Sequence, residues 1–283
     1  MRPYDILDVF TDTPLTGNPL AVVYEADGLS TERMQAITRE FNLSETIFMH
    51  AAVDGRTPAR IFTPAHEMPF AGHPTVGGSI ALGLRSGTDR VALSLPAGPV
   101  DVTLTGDTVR RAEFDAPVLP TAEPLAVSAV DLARLLGLTP ADIAGAAMRM
   151  SSGPAFTAIP LASVEALGRV RYDAAGEAAL GDAPRAIYPV TPTAGGYQAR
   201  MIALDFGIAE DPATGAAAVA FAAVALQTAP LGEGRHVISI AQGIEMGRPS
   251  AIELVAEVSG GALTRVRLAG EAVIVAQGTL LLD

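Results

Sequence analysis

Two stretches of the chain repeat one arrangement of chemistry-bearing residues. "EMPFAGHPTVGGSIAL" runs from Glu67 to Leu82 and "EDPATGAAAVAFAAVAL" from Glu210 to Leu226. Each writes Glu, any residue, Pro, two residues and Gly, then a run of small apolar residues. Glu67, Pro69 and Gly72 correspond to Glu210, Pro212 and Gly215, each displaced by 143 positions. Each stretch reads as a turn that launches a helix. The first helical turn leaves N–H groups unbonded and a partial positive charge at that end, which suits a carboxylate without any lysine. Ordinary strand-to-helix turns preserved by duplication are the plainer alternative. His73 follows the first glycine, with Pro74 expected at the first helical position. A histidine there can donate to an anion or carry a proton, or simply cap the helix or fill the core. Asp211, ahead of Pro212, is pushed toward extended backbone near the second entrance; it either meets a ligand or complements the helix dipole. Glu45, in "FNLSETIF", stands where a polar turn becomes a strand, a place where a glutamate is ordinarily just solvated.

Composition removes whole classes of chemistry. There is no cysteine, so no disulfide framework, thiolate metal site or thiol catalysis. All 19 basic residues are arginine, and with no lysine there is no Schiff-base chemistry. "HEMPFAGH" offers His66, Glu67 and His73, but Pro69 interrupts any helix between them and the spacing is not that of a helical two-histidine site. No metal or cofactor is therefore assigned. Neither glycine-rich phosphate-binding motif is present, and Ser44 has no G-x-S-x-G setting. A net charge of −12 argues against nucleic acid or an anionic membrane as partner. "MRPYDILDVF" lacks the apolar core of a signal peptide. The uncharged stretch from Pro212 to Gly232 is alanine-dominated and meets Pro230, so it reads as a buried helix of a cytoplasmic protein rather than a membrane span.

Elements to position these residues are legible around them. Strand-like runs ("YDILDVF", "LAVVYE") precede a helix capped by Ser30, with Met34, Ile37 and Phe41 on one face. "ETIFMHA" and "ARIFTP" are strands leading to the first motif, whose helix begins near Pro74. "RVALSLP", "VDVTLTG" and "VRRAEFD" follow as strands. "APVLPTAEP", with three prolines, reads as a linker. The second half repeats the plan: a helix capped by Ser128 with Asp131 three residues on, strands "AFTAIPL" and "YQARMIAL", the second motif, then "RHVISIAQG", "SAIELVAEV", "LTRVRLAG" and "AVIVAQG". "ARIFT" resembles "ARMIA", with three extra residues before the second motif. "TVGGSIALGL" and "AAAVAFAAVAL" have no polar face, so both helices are expected to be enclosed. The expected fold class is α/β of the α+β type: two pseudo-symmetric lobes, each a mixed β-sheet wrapped around a central helix, with a cleft between them. The lobes are placed at residues 1–118 and 119–283, with the last strand free to cross back to the first.

"DVFTDTPLTGNPLAVV", "FNLSETIF", "RIFTP" with "PFAGHPT", "GIAEDPATG" and "QGIEMGRPS" together resemble the PhzF family of phenazine-biosynthesis-like isomerases, from about Asp8 to the C-terminus. The resemblance implies the diaminopimelate epimerase-like fold. It implies Glu45 as the acid/base residue, His73 and Asp211 lining the site of a small carboxylate-bearing substrate, no cofactor or metal, and a homodimer. Gly72, Pro74 and Thr75 at one helix entrance, and Thr214, Gly215, Ala216 and Ala217 at the other, are then expected to hold the substrate. The catalytic thiols of the cysteine-dependent epimerases would fall near Ala71 and Gly215, so two-thiol racemisation is closed to this chain. The family commonly writes "EDPATGSA", and Ala216 stands here in the serine position. The expected activity is cofactor-independent isomerisation by glutamate-mediated proton shuttling. The alternatives are an epimerase or racemase of an amino or hydroxy acid, with Glu45 and Asp211 on opposite faces, and an inactive small-acid-binding protein of the same fold.

Overall fold

A computed structural model describes residues 1–107, 109–203, 209–229 and 231–282. The chain divides into two compact units: Met1–Asp115 together with the C-terminal segment from Leu268, and Ala116–Arg267. Among the described residues no helix is long and apolar enough to cross a membrane.

The first unit grows from short apolar runs that the sequence breaks with turns. Its elements are β1 (Arg2–Val9), β2 (Asn18–Val23), α1 (Thr31–Phe41), β3 (Glu45–Met49), β4 (Thr57–Phe62), β5 (Glu67–Met68), α2 (Gly72–Ser86), β6 (Arg90–Leu95), β7 (Gly98–Thr105) and β8 (Arg110–Asp115). The strands follow the order β1-β2-β3-β4-β6-β7-β8. The long C-terminal strand β16 (Ala262–Leu280) lies next to β8 and pairs antiparallel with β1, closing the ring. Strands β2 and β3 run parallel, as do β4 and β6, so the sheet is mixed. Helix α2 packs against β1, β2, β3, β6, β7 and β8 and is enclosed as its composition predicts. Its glycines are required by closeness. A Cβ on Gly77 would stand 2.6 Å from both Leu20 and Val9, and one on Gly83 would collide with Leu104. Outside the ring, α1 is amphipathic and lays Met34 and Ile37 on Val23, Phe48 and Phe62. Ser30 caps it by accepting from the Arg33 N–H, as expected, and Asn42 ends it in the left-handed region.

The second unit contains β9 (Thr121–Pro124), α3 (Ala129–Leu136), β10 (Met148–Ser151), β11 (Ala155–Pro160), α4 (Val164–Arg169), β12 (Ile187–Thr193), β13 (Gly196–Ala199), α5 (Gly215–Thr228), β14 (Gly234–Gln242), β15 (Ser250–Ser259) and the start of β16. Its strand order is β16-β15-β14-β13-β12-β11-β10-β9, with β11–β12 and β13–β14 parallel. Helix α5 packs on β9, β10, β11 and β15. Ala217 through Ala225 are all buried, and Phe221 sets its ring against Tyr188 and Tyr197. Full burial of such a phenylalanine contributes about 2–3 kcal/mol. A separate core joins Leu132, Leu135 and Leu136 of α3 with Leu167 of α4, Ile159 and Ile187.

Three sequence expectations need correction. Helix α2 starts at Gly72, with Ala71 as its cap, so Pro74 is the third helical residue rather than the first. The first turn tolerates it because that N–H has no partner within the helix. The proline-rich linker is only partly one, since Thr121–Pro124 pairs with β10 as an end strand. Such a strand has one free side, where a missing N–H costs little. The last two expected strands are the single strand β16, which passes through Gly270 without a break; a Cβ there would run into the Phe10 ring.

Candidate active site

The entrance of α2 is built by strand pairing. Glu45 opens β3 opposite Leu20 of β2, directly after the turn that ends α1. His73 is the second residue of α2 and is buried, with 3% of its side chain exposed. Its Nδ1 lies 2.9 Å from Oε2 of Glu45, whose side chain keeps 15% exposure. The other ring nitrogen, Nε2, lies 3.2 Å from the main-chain carbonyl oxygen of Asn18, the fully buried first residue of β2.

This geometry fixes the protons. A carbonyl oxygen only accepts, so Nε2 carries a hydrogen and donates it. In a neutral ring Nδ1 is then a bare lone pair, which a carboxylate cannot satisfy. The 2.9 Å contact therefore holds one proton, on Glu45 as an acid donating to Nδ1 or on His73 as an imidazolium donating to the carboxylate. Glu45, with 15% of its side chain exposed, is the less buried member of the pair. Sequence reasoning missed Asn18 as a part of it. The signal was the polar residue in "GNP" at the foot of a strand, a weak one because the contact is made by backbone.

Around His73 the entrance of α2 presents main-chain groups and one locally engaged hydroxyl. No side chain caps the helix, so the Gly72 and His73 N–H groups are not capped, and Pro74 has no N–H to offer. The Thr75 hydroxyl donates back to the Ala71 carbonyl at 2.7 Å and is wholly buried. His66 lies outside the site. Its segment folds around Thr63, whose hydroxyl accepts from the Ala65 and His66 N–H groups.

In the second unit the corresponding turn is laced by polar side chains. Asp211 is buried, and its Oδ2 accepts from the Thr214 hydroxyl at 2.6 Å. That hydroxyl is thereby diverted from capping α5, and no side chain caps the helix that opens with Gly215, Ala216 and Ala217. Gln242, at the end of β14 and fully buried, donates to the Asp211 carbonyl at 2.8 Å and to the Thr214 hydroxyl at 3.1 Å. Gly243 follows at φ +77, where a Cβ would stand 2.7 Å from the Pro212 carbonyl oxygen. The "QG" of "QGIEMGRPS" is thus the anchor of this turn, legible as a motif but not as a contact. The Ala216 carbonyl accepts from the Ser152 hydroxyl at 2.8 Å.

The repeated glutamates serve neither site directly. Glu67 takes two hydrogen bonds from Arg60, Nε to Oε1 at 2.7 Å and a terminal nitrogen to Oε2 at 2.6 Å. Glu210 takes the same two from Arg200, at 2.7 and 2.8 Å. The Arg60 hydrogen bonds hold the Glu67 carboxyl below the usual glutamate range, and Glu210 raises the Arg200 guanidinium further.

Mixed parallel and antiparallel strands around a small-residue helix in each unit define a protein of the diaminopimelate epimerase-like fold class, shared with a PhzF-family protein and a probable proline racemase. Residues 7–278 match the family model described as phenazine biosynthesis-like protein. The chain is 41% identical to an uncharacterised isomerase of Mesorhizobium japonicum, over 99% of this chain and 98% of that one. It is 36% identical to the trans-2,3-dihydro-3-hydroxyanthranilate isomerase of Pseudomonas chlororaphis, over the full length of both. A crystal structure of a PhzF-family phenazine biosynthesis protein from Bacillus anthracis superposes with a TM-score of 0.90 at 23% identity, covering 99% of each chain, which shows the shared fold. The chain belongs to the PhzF family of phenazine-biosynthesis-like proteins and is an enzyme of the isomerase class.

Proposed function

We propose that this enzyme isomerises a small carboxylic acid by moving a proton from one carbon to another through Glu45. The observation that carries the reading is the Glu45–His73 hydrogen bond of 2.9 Å with the far side of the ring held by Asn18. With the shared proton on His73, Glu45 is a carboxylate beside a cation and acts as the base. It takes a proton from carbon next to an unsaturated, acidifying group; that C–H pair of electrons enters the conjugated system and a double bond shifts. The same carboxyl group returns the proton at the far carbon. Nothing is oxidised or reduced, and the enzyme ends as it began. A fixed imidazolium beside the carboxyl stabilises the charge that develops, because its position is set before the reaction.

The main-chain N–H groups of Gly72 and His73 are proposed donors to the substrate carboxylate. A dihydroaromatic amino acid of the kind acted on by the Pseudomonas chlororaphis relative is the first candidate substrate.

The test is Glu45→Gln assayed with trans-2,3-dihydro-3-hydroxyanthranilate. Loss of a positioned acid/base group lowers turnover by about 10²–10⁴-fold, while ligand affinity stays within a few fold. A variant that turns over at the parent rate would remove Glu45 from the chemistry.

A further inference from the structure

The covalent route from Glu45 to His73 runs along β3, across to its antiparallel neighbour β4, then through β5 into α2. Any slack along that route appears as uncertainty in the 2.9 Å contact. The last stretch has few restraints: β5 has only two residues, and beyond it the Pro69 carbonyl accepts from the Ala97 N–H at 3.0 Å and the Phe70 ring meets the Phe114 ring edge-on. Arg60 sits at the centre of this route. Its guanidinium forks onto both oxygens of Glu67, reaches the Thr31 hydroxyl at the start of α1 at 2.9 Å, and lies 5.1 Å from the centre of the Phe62 ring. A planar fork engaged on two oxygens fixes orientation as well as distance, which a point charge does not.

The second unit shows that this is not an accident of one loop. Arg200 and Met201 stand to Glu210 and Asp211 as Arg60 and Ile61 stand to Glu67 and Met68. The Asp211 N–H donates to Met201 while Met68 pairs with Ile61, and the same two-bond fork spans each arginine and glutamate. The three extra residues of the second copy fall between Arg200 and Glu210, and the fork survives them. The glutamate of the duplicated motif is thus kept with an arginine that the motif itself does not contain.

We infer that Arg60 and Glu67 are positioning residues for the Glu45–His73 pair. The inference rests on the proposed role of that pair, and deepens it. The clamp touches no reacting atom. It acts by holding the β5–α2 connection so that the imidazole meets the carboxyl group at a transferable distance.

The experiment compares the parent chain with Glu67→Gln, Arg60→Lys and Glu45→Gln. It reads ¹⁵N signals of the His73 ring, assigned by their absence in His73→Asn, together with kcat and KM for trans-2,3-dihydro-3-hydroxyanthranilate. Both clamp variants are expected to shift the His73 Nδ1 signal. They are expected to lower kcat by about 10–100-fold, the scale of an ångström-level misplacement, while KM moves by less than about threefold. Arg60→Lys keeps the charge and loses the fork, so it covers the case in which Glu67→Gln folds poorly. If either clamp variant is less stable yet leaves the Nδ1 signal and kcat at parent values, the clamp only supports the fold and the inference is wrong. Glu45→Gln separates the two readings: it moves the ring signal if the pair exists, and a silent result there overturns the pair and the inference with it. Where this acid is not turned over, the ring signals decide alone.

Discussion

The proton in the 2.9 Å contact between Glu45 and His73 is the smallest unit of the account. Asn18 makes it possible by occupying Nε2 with a carbonyl oxygen. His73→Asn keeps an N–H able to reach Glu45 but has no second basic site, so it is expected to fold and to lose about 10²-fold in turnover; steady-state kinetics at matched stability check this. The Glu67 clamp has a pH signature of known sign. Its carboxyl is held below the ordinary value by Arg60, so its stabilisation is complete above the unfolded-state value of about 4.3 and is lost as pH falls through the lower folded one. The stability difference between parent and Glu67→Gln, measured by urea unfolding, is therefore expected to be full near pH 7 and to shrink as pH falls below the unfolded-state value; a difference that grows on acidification contradicts it. At this scale the sequence named Glu45 and His73 but not their bond, because nothing in two positions 28 apart says they meet. It also repeated Glu67 and Glu210 without naming their arginines, since partners brought together by strand pairing leave no local period to read.

Helices α2 and α5 carry the account at the next scale. Both were legible as enclosed from the absence of any polar face, a property of composition that tertiary context cannot hide. Their glycines and alanines set the approach of the surrounding strands. Gly77→Val would drive new methyl groups into Leu20 and Val9, which already stand 2.6 Å from an ideal Cβ. Such overpacking costs about 1–3 kcal/mol, and chemical denaturation of the variant is expected to show a loss of that size; an unchanged midpoint would mean the ring can expand. Other elements escaped for physical reasons. Strand β5 is two residues long. Strand β12 carries Pro189 and Pro192, which argue locally against a strand, and is formed because β11 and β13 pair with it on either side. Strand β16 reads locally as two because Gly270 resembles a break, whereas the glycine is there to admit the Phe10 ring.

At the scale of the whole molecule, the first unit is completed by the end of the chain. Strand β16 pairs with β1 from Arg2 opposite Leu280 to Val9 opposite Ala272, so a fragment ending at Asp115 lacks one strand of its ring. That fragment exposes two unpaired edges and is expected to show no cooperative thermal transition, followed by circular dichroism; a sharp two-state unfolding curve for residues 1–115 would contradict it. The duplicated motif and the strand–motif–helix order were legible from spacing, because duplication copies folding elements whole, while the family was legible as a resemblance of motifs. The reaction was not, because chemistry depends on which atoms end up 3 Å apart. The central claim, that the Glu45 carboxyl takes a proton from one carbon of the substrate and, after exchange with water at its partly exposed oxygens, returns one to another carbon, is tested most directly by following the isomerisation of a candidate dihydroaromatic acid in deuterated water by NMR. The account predicts deuterium at the carbon that gains a hydrogen, a shifted double bond, and loss of both in Glu45→Gln. Deuterium at a single carbon with inversion of its configuration and no double-bond shift would contradict it.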